Sequence, residues 1–582
     1  MKPYQPYSKK NIWYDFYSER DKNIKFLNDS IYERFKSTYL KYPERVALDY
    51  YGNKITFSGF YNLIKDAAKA FKSYGVRKKD VVTLLMPNIP EALIAFYALN
   101  KIGAIANMVH PLSGNEEIKD ILIKNKSVML VMYDACFSKV NEFLKDTDVF
   151  KVITVGAEES MPLFLRIAYN ATEGRKIRKP LGRSLYISWK DFIKRAKSYE
   201  GKVKVKMRSK DVAVILHSGG TTGIPKGIML TNGNFNDLAS QVCLKLSDLT
   251  HQERADYTRE PGKTLGILPV FHGFGLAVNI HSILSFGYSI ILIPRFSAKD
   301  FGNLIMKHKP NIIVGVPTLF EAMIDNDMLK DKNLSFLEVA VVGGDSLSSA
   351  LEKRINNFFS EHGVTNNIIR GYGLTEATAA VIASFGLGPG ESNLIGIPLP
   401  GNYVTIVDPT TNLDLKRNEV GEICLVGPSV MKGYMNNKEE TQNVLVKHKD
   451  GKVWLHTGDL GYMDDSGLIH YSQRLKRMII VSGYNVYPSQ VENVINSYPN
   501  VKTSCVIGIP DPYKVEIPKA FIVLEDKNKK EGNFNDNLRK YCLKKLARYA
   551  VPHHYEIRDS LPVTPIGKID FKKLEREEKE DD

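Results

Sequence analysis

Residues 211–232, DVAVILHSGGTTGIPKGIMLTN, constrain this chain more than any other stretch. Residues 212–216 are short, apolar and β-branched, the composition of a buried strand. They run straight into Ser218, Gly219, Gly220, Thr221, Thr222 and Gly223, which offer hydroxyls and main-chain N–H groups without bulk. Glycine lets backbone donors approach an anion closely. Lys226 adds a full charge, and Pro225 stiffens the approach to it. A strand that ends in such a concavity suits a polyphosphate. The loop is not of the Walker type, which needs Gly-Lys followed by Ser or Thr, because Lys226 precedes Gly227. Gly262-Lys263-Thr264 fails the same pattern, with Tyr257 where its first glycine should stand.

A chain of 582 residues needs more than one core. Strand and helix patterns alternate as far as about residue 400, which favours mainly parallel sheets with helices on their faces. Residues 81–85 read as a strand, 89–102 as a helix opened by Pro90, and 103–107 as the next strand. Residues 400–470 turn β-rich, with a hairpin signal at Asp464-Asp465-Ser466-Gly467. The expected architecture is α/β: a large N-terminal domain over 1–473 of mainly parallel sheets covered by helices, with a β-rich subdomain. A smaller α+β domain follows over 474–582, and 158–210 read as a basic insertion.

The net charge of +15 does not point to nucleic acid. Residues 173–210 hold 14 Lys/Arg against 3 Asp/Glu, and no aromatic-interleaved basic stripe accompanies them. Five scattered cysteines without a CxxC argue against a disulfide framework and for a reducing compartment. The N-terminal stretch MKPYQPYSKKNIW has no apolar run of the signal-peptide kind, so the expected location is cytoplasmic. Residues 264–294 lack Asp, Glu, Lys and Arg, but Pro269, Gly273, Gly275 and Gly287 interrupt them. That pattern suits a buried strand–loop–helix–strand better than a membrane span.

SGGTTGIPKG resembles the phosphate loop of the adenylate-forming superfamily of acyl- and aryl-CoA synthetases, luciferases and peptide-synthetase adenylation domains. MPNIPEALIAFYALNKIGAIANMVHP resembles its N-terminal domain, and further motifs follow in order over residues 30–575. The resemblance implies ATP/AMP contacts from residues 218–223 and Lys226, and an adenine-side loop at Gly343, Gly344 and Asp345. In Gly371-Tyr372-Gly373-Leu374-Thr375-Glu376 it implies that Tyr372 stacks on adenine, Thr375 meets the α-phosphate and Glu376 binds Mg²⁺. Asp459, in Trp454-Leu455-His456-Thr457-Gly458-Asp459, and Arg474 match ribose ligands. Lys476 matches the pivot between domains. Lys568, in Pro565-Ile566-Gly567-Lys568, matches the lysine that bridges carboxylate and phosphate. Two positions depart from the pattern: Gln473 replaces a glycine or aspartate, and Val515 replaces a glycine before Glu516.

Phe271 and His272 set the expected acid. Amino-acid-activating domains carry an aspartate after the phenylalanine to pair with an ammonium; this chain has His272 followed by Phe274, Leu276 and Val278. The Phe-His pair is similar to that of acyl- and aryl-CoA synthetases, where the histidine borders the acyl pocket and gates the thiol tunnel. Phe271, His272, Phe274 and Leu276 are therefore expected to line an apolar pocket for a fatty acid. His272, Lys226 and Lys568 are the catalytic candidates, and ATP, Mg²⁺ and CoA the expected cofactors. The implied reaction makes acyl-AMP and pyrophosphate, then acyl-CoA and AMP. The alternatives are an acyl chain loaded on carrier-protein phosphopantetheine, an aryl or other acid, and an adenylate-binding regulator without turnover. The apolar 161–169 run before the basic segment is either a docked surface loop or a peripheral contact with anionic membrane.

Overall fold

The structure is a computed structural model that describes residues 12–177, 184–217, 225–250, 261–388, 393–481, 484–511, 513–526, 532–563 and 569–581. Ser218, Gly219, Gly220, Thr221, Thr222, Gly223 and Lys568 lie outside the described residues, as do Arg178, Lys179 and Arg183 of the basic segment.

Three sheets organise the described residues. The first has eight strands, with Val212–His217, Ile105–Val109, Val81–Leu85, Ser127–Tyr133, Lys151–Val155 and Tyr186–Ser188 side by side and parallel. Gly227–Thr231 and Gly433–Tyr434 extend it antiparallel beyond Val212–His217. Val81–Leu85 is buried at every residue, as a central strand covered on both faces must be. The helix Pro90–Ile102 starts on a proline, stops on Gly103 in the left-handed region, and is buried along its whole length.

The second sheet has 14 strands and changes character along its width. Val46–Tyr50, Ser289–Leu292, Lys263–Gly266, Ile312–Gly315, Val339–Gly343 and Ile369–Tyr372 are parallel. From Ile382–Ala383 onward the pairing is antiparallel, through Leu394–Pro398 into Ile469–Arg474, Val453–Met463, Gly421–Val426 and Tyr403–Val407. The β-rich region 400–470 is thus an antiparallel continuation of this sheet, and the expected parallel strands form the body of both large sheets. The predicted hairpin turn is present, with Gly467 at φ +87° and Asp464 accepting from the Ser466 and Leu468 N–H groups.

The segment read as one insertion divides in two. Tyr186–Ser188 adds the outer strand of the first sheet, and Phe192 packs edge-on against Phe71 in the core. Only the part before it stands apart: the helix Leu163–Ala171 buries none of its residues fully, and Leu163, Phe164 and Ile167 are 71%, 78% and 62% exposed. Its other side touches the core through Leu165 and Tyr169, and carbonyls of Glu158, Glu159 and Met161 hold the Arg166 guanidinium.

A five-stranded sheet begins at Ile479, with Val501–Asp511 and Val515–Leu524 as its long central hairpin. The helix Pro488–Asn496 lies between this sheet and the strand Ile469–Arg474. Across that boundary Ser489 Oγ donates to the Ser472 carbonyl, Asn493 to Asn393 Oδ1 at 2.8 Å, and Lys502 pairs with Glu321 at 3.6 Å.

Candidate active site

A cleft of about 2480 Å³ runs between the two large sheets and on to the face of the C-terminal sheet. Single small-molecule pockets are several hundred cubic ångströms, so this one has room for more than one ligand at once. Its lining includes Lys226, Phe271, His272, Phe274, Gly343, Gly344, Asp345, Gly371, Tyr372, Gly373, Thr375, Glu376, Asp459 and Arg474, which the sequence scatters over 249 positions.

At one end a buried carboxylate is held from two sides. Asp459, 1% exposed, accepts from the Tyr372 hydroxyl at 2.7 Å and pairs with Arg474 Nε at 2.9 Å. Its position is set below: Thr457 donates to the Ile423 carbonyl, Asp459 N–H donates back to Thr457 Oγ1, and Glu422 accepts from Gly458 N–H. Asp459 raises Arg474 above the usual guanidinium range, while burial, reinforced by Asp459, raises the Tyr372 phenol. Both groups therefore keep their protons at neutral pH. The Tyr372 ring sits at the end of the strand Ile369–Tyr372, with Tyr471 at 6.2 Å between centroids. The loop after it has no room for a side chain at Gly373, where a Cβ would lie 1.9 Å from the Ala379 carbonyl oxygen. Gly344, at φ +81°, turns the chain away from Val339–Gly343 and leaves Asp345 exposed, capping Ser346 N–H at 2.8 Å.

Lys226 and Glu376 both meet one tyrosine, Tyr434. Tyr434 donates to Glu376 Oε1 at 2.9 Å, and Lys226 Nζ lies 5.2 Å from the Tyr434 ring centroid while bonding Glu440 Oε2 at 2.6 Å. Burial, then the Glu376 charge, raises the Tyr434 phenol, so it remains a donor. Glu376 and Thr375 form an oxygen-only pair on the wall of the cleft; such a set fits Mg²⁺, which takes one or two carboxylates and completes its shell with phosphate and water. Tyr434 and Glu440 were not singled out from the sequence, since nothing local marks them. His217 was also missed, although it ends the strand that leads into residues 218–223. It donates from Nε2 to Asn107 Oδ1 at 2.7 Å, and burial lowers it to about 4, so the ring is neutral.

The other end of the cleft is apolar. The run Phe274–Ser282 is a π-helix continued by the α-turn Ile283–Phe286, and it packs on the helix Asn232–Leu249, which starts with a Thr231/Asn234 capping box. Phe274, Val278 and Ile283 from one and Val242 and Leu246 from the other line the recess between them. Leu276, expected in that lining, is fully buried and is not among the cleft residues. Two positions on from Phe274 in such a helix is nearly half a turn, which carries Leu276 into the core behind the recess. His272 lies at the recess mouth, its Nδ1 accepting from Phe274 N–H at 3.3 Å, and Phe271 packs against His110 at 4.1 Å between centroids.

Lys476 occupies the short 3₁₀ turn Leu475–Arg477 that joins Ile469–Arg474 to the C-terminal sheet. On its far side Arg477 bonds Glu492 at 2.7 Å. Ile569, Asp570 and Phe571 also line the cleft, so the chain just after Lys568 reaches it.

Comparison with known proteins follows this division. The profile of the AMP-binding enzyme family matches residues 35–435, and that of the AMP-binding enzyme C-terminal domain matches residues 490–568. The chain is 32% identical over 544 residues to a long-chain-fatty-acid–CoA ligase of Bacillus subtilis, covering 93% of each. It is 31% identical over 581 residues to one from Haemophilus influenzae, covering 97% of this chain and 98% of that one. In fold it is similar to ATP-bound MatB from Rhodopseudomonas palustris, with a TM-score of 0.80 at 22% identity over 95% of this chain and 99% of that one.

Proposed function

The chain belongs to the AMP-binding enzyme family, and from that premise we propose how it works as an acid–thiol ligase that activates a fatty acid and passes it to CoA. The observation that carries the choice of acid is the recess of Phe274, Val278, Ile283, Val242 and Leu246, which opens from the same cleft as the Tyr372–Asp459 pair. Its five side chains are apolar, so it takes an alkyl chain and offers no partner to an ammonium.

In the first half-reaction a carboxylate oxygen attacks the α-phosphorus of ATP and pyrophosphate leaves. Both reactants are anions, so the protein's task is positioning and charge. The adenine lies against Tyr372, and the ribose hydroxyls donate to Asp459. Thr375 and Lys226 face the phosphates, with Lys226 exchanging Glu440 for the nucleotide. Mg²⁺, when bound by Glu376, neutralises charge on the phosphates. Lys568 supplies a cation at the forming bond. In the second half-reaction the thiol attacks the acyl carbonyl and AMP leaves, after the C-terminal domain turns about Lys476. The small polar boundary formed by Ser489, Asn493 and Lys502 favours such a turn.

The test is pyrophosphate release with a panel of acids, with and without CoA. Each methylene reaching the recess gains about 0.8 kcal/mol, roughly fourfold, until the recess ends. Free α-amino acids release none. Val278→Trp, which fills the recess, shifts the preferred acid to shorter chains; an unchanged chain-length profile refutes the placement. CoA and phosphopantetheinyl carrier protein, offered separately, identify the thiol.

The helix Leu163–Ala171 supports a second proposal, that the protein rests on anionic membrane. Among the described residues no helix is long and apolar enough to cross a bilayer. Leu163, Phe164 and Ile167 instead form one exposed apolar face, followed by Arg175, Lys176 and the rest of the basic segment. Each basic side chain near an anionic surface contributes about 1 kcal/mol, which salt removes. The protein sediments with anionic vesicles at low salt and not with neutral ones. A Leu163→Ser, Phe164→Ser, Ile167→Ser variant that sediments equally refutes the contact.

A further inference from the structure

Among the described residues one group of three side chains has metal-ligand chemistry: Cys424, His448 and His456, with ligand atoms all within 4.8 Å of one another. Two neighbouring strands and the turn after a third supply them. Cys424 on Gly421–Val426 is the direct cross-strand partner of His456 on Val453–Met463. His448 follows Leu445–Lys447, which pairs with the other edge of Val453–Met463, in a turn closed by its own backbone bonds to Lys452 and Gly451.

Both rings are already oriented. His456 Nδ1 bonds Glu422 Oε2 at 2.8 Å, which turns its Nε2 toward His448 Nε2, 2.9 Å away. Glu422 is 6% exposed and cannot swing free, since its second oxygen holds Gly458 N–H at 2.8 Å. A buried carboxylate behind an imidazole is the outer partner that metal-binding histidines use to fix tautomer and orientation. The His448 ring stacks on Trp454 at 5.6 Å, and Trp454 donates to Asp450.

We infer that Cys424, His448 and His456 bind a single Zn²⁺-class ion, with Glu422 as the outer partner of His456 and the fourth position open on the half-buried His448 side. A thiolate with two imidazoles selects such ions over Mg²⁺, which prefers oxygen. A tetrahedral site sets ligand atoms about 3.5 Å apart, so the two imidazole nitrogens part by roughly half an ångström and the sulfur closes in by up to about an ångström, a side-chain adjustment. On binding, two Zn–N bonds and one Zn–S bond form as aqua ligands leave the ion, the His448–His456 hydrogen bond gives way, the thiol proton leaves to solvent, and nothing is oxidised or reduced. The ion would clip two strands to the turn after a third, on the same strand as Asp459, and Glu422 links the two sites by bonding both His456 and Gly458 N–H.

The experiment is a titration of the full chain, stripped with chelator, with Zn²⁺ by calorimetry and with Co²⁺ by absorption. One equivalent binds, and Co²⁺ gives a thiolate charge-transfer band with the visible bands of tetrahedral geometry, which excess Mg²⁺ does not displace. Cys424→Ser loses the charge-transfer band while Cys542→Ser keeps it. His448→Ala, in a turn where folding tolerates the change, weakens Zn²⁺ at least tenfold, and Glu422→Gln weakens it about 10- to 100-fold. The inference is overturned if the unsubstituted chain shows no stoichiometric binding or no charge-transfer band. It is equally overturned if His448→Ala binds Zn²⁺ as tightly as the unsubstituted chain. These readouts need no turnover, so they stand or fall apart from the ligase activity.

Discussion

Replacing Asp459 by alanine tests the nucleotide end of the cleft at its most determined point. The carboxylate is buried and anchored by Tyr372 and Arg474, so its oxygens are fixed before any nucleotide arrives. A hydrogen bond to a charged acceptor contributes about 1.5–3 kcal/mol, or roughly 10- to 160-fold in affinity. With two ribose hydroxyls on one carboxylate, each of 2′-deoxy-ATP and 3′-deoxy-ATP should fall below ATP in kcat/KM by that factor. In Asp459→Ala the ATP value itself drops, and the discrimination among the three nucleotides collapses to within about twofold. The Arg474 side chain, half exposed, rehydrates, whereas the buried Tyr372 hydroxyl loses its partner at a cost of about 1–3 kcal/mol. That loss enters all three nucleotides equally, which is why the comparison isolates the ribose. The assay is pyrophosphate release under limiting nucleotide. If the variant discriminates among the nucleotides as strongly as the unsubstituted protein, Asp459 does not hold the ribose.

Three further outcomes follow from the same structure. Lys568→Ala lowers acyl-AMP formation at least about a hundredfold, while thioester formation from supplied acyl-AMP survives; equal loss in both half-reactions refutes its role. Lys476→Pro does the reverse, because a locked φ prevents the domains from turning; normal rates in both halves refute the pivot. Glu91, 2% exposed, is held by Ser160 at 2.5 Å and raised by burial to about 7 from 4.5. A carboxyl raised on folding stabilises the protein while protonated, so this contribution is present below about 4.5 and is lost as pH rises to about 7. Glu91→Gln therefore flattens the melting temperature between those pH values, and an unchanged pH profile refutes the assignment.

The strand 212–216, the helix opened by Pro90 and the hairpin at Asp464 were legible because each is written in consecutive residues. Tyr186–Ser188 was not, since three residues carry no periodicity and its pairing is set by the neighbouring edge. The recess could only be half read. Phe274 and Val278 stand near the Phe271-His272 pair, but the opposite wall comes from Val242 and Leu246, on another helix. The π-helical register that turns Leu276 inward has no mark in the sequence. Tyr434 and Glu440 were invisible for a related reason. Their chemistry exists only because Gly433–Tyr434 pairs with Gly227–Thr231 and so brings them to Lys226. The Cys424, His448 and His456 group spans two strands and the turn after a third and matches no short spacing.

The ion pair between Arg474 and Asp459 also has a mechanical meaning. It clamps the chain two residues before Lys476, while Arg477 clamps it to Glu492 one residue after. Between those posts almost no chain is left to bend, so the turn proposed about Lys476 would concentrate in one or two backbone torsions. A domain of this size has a radius of gyration of about 13 Å, so its far edge stands roughly 25 Å from the pivot. At that radius a 10° change in one torsion moves the edge by about 4 Å, more than the length of a hydrogen bond. In that proposal the fold would work there as a short fulcrum with a long arm, and the accuracy with which the C-terminal segment meets the cleft would be set by how firmly Asp459 holds Arg474.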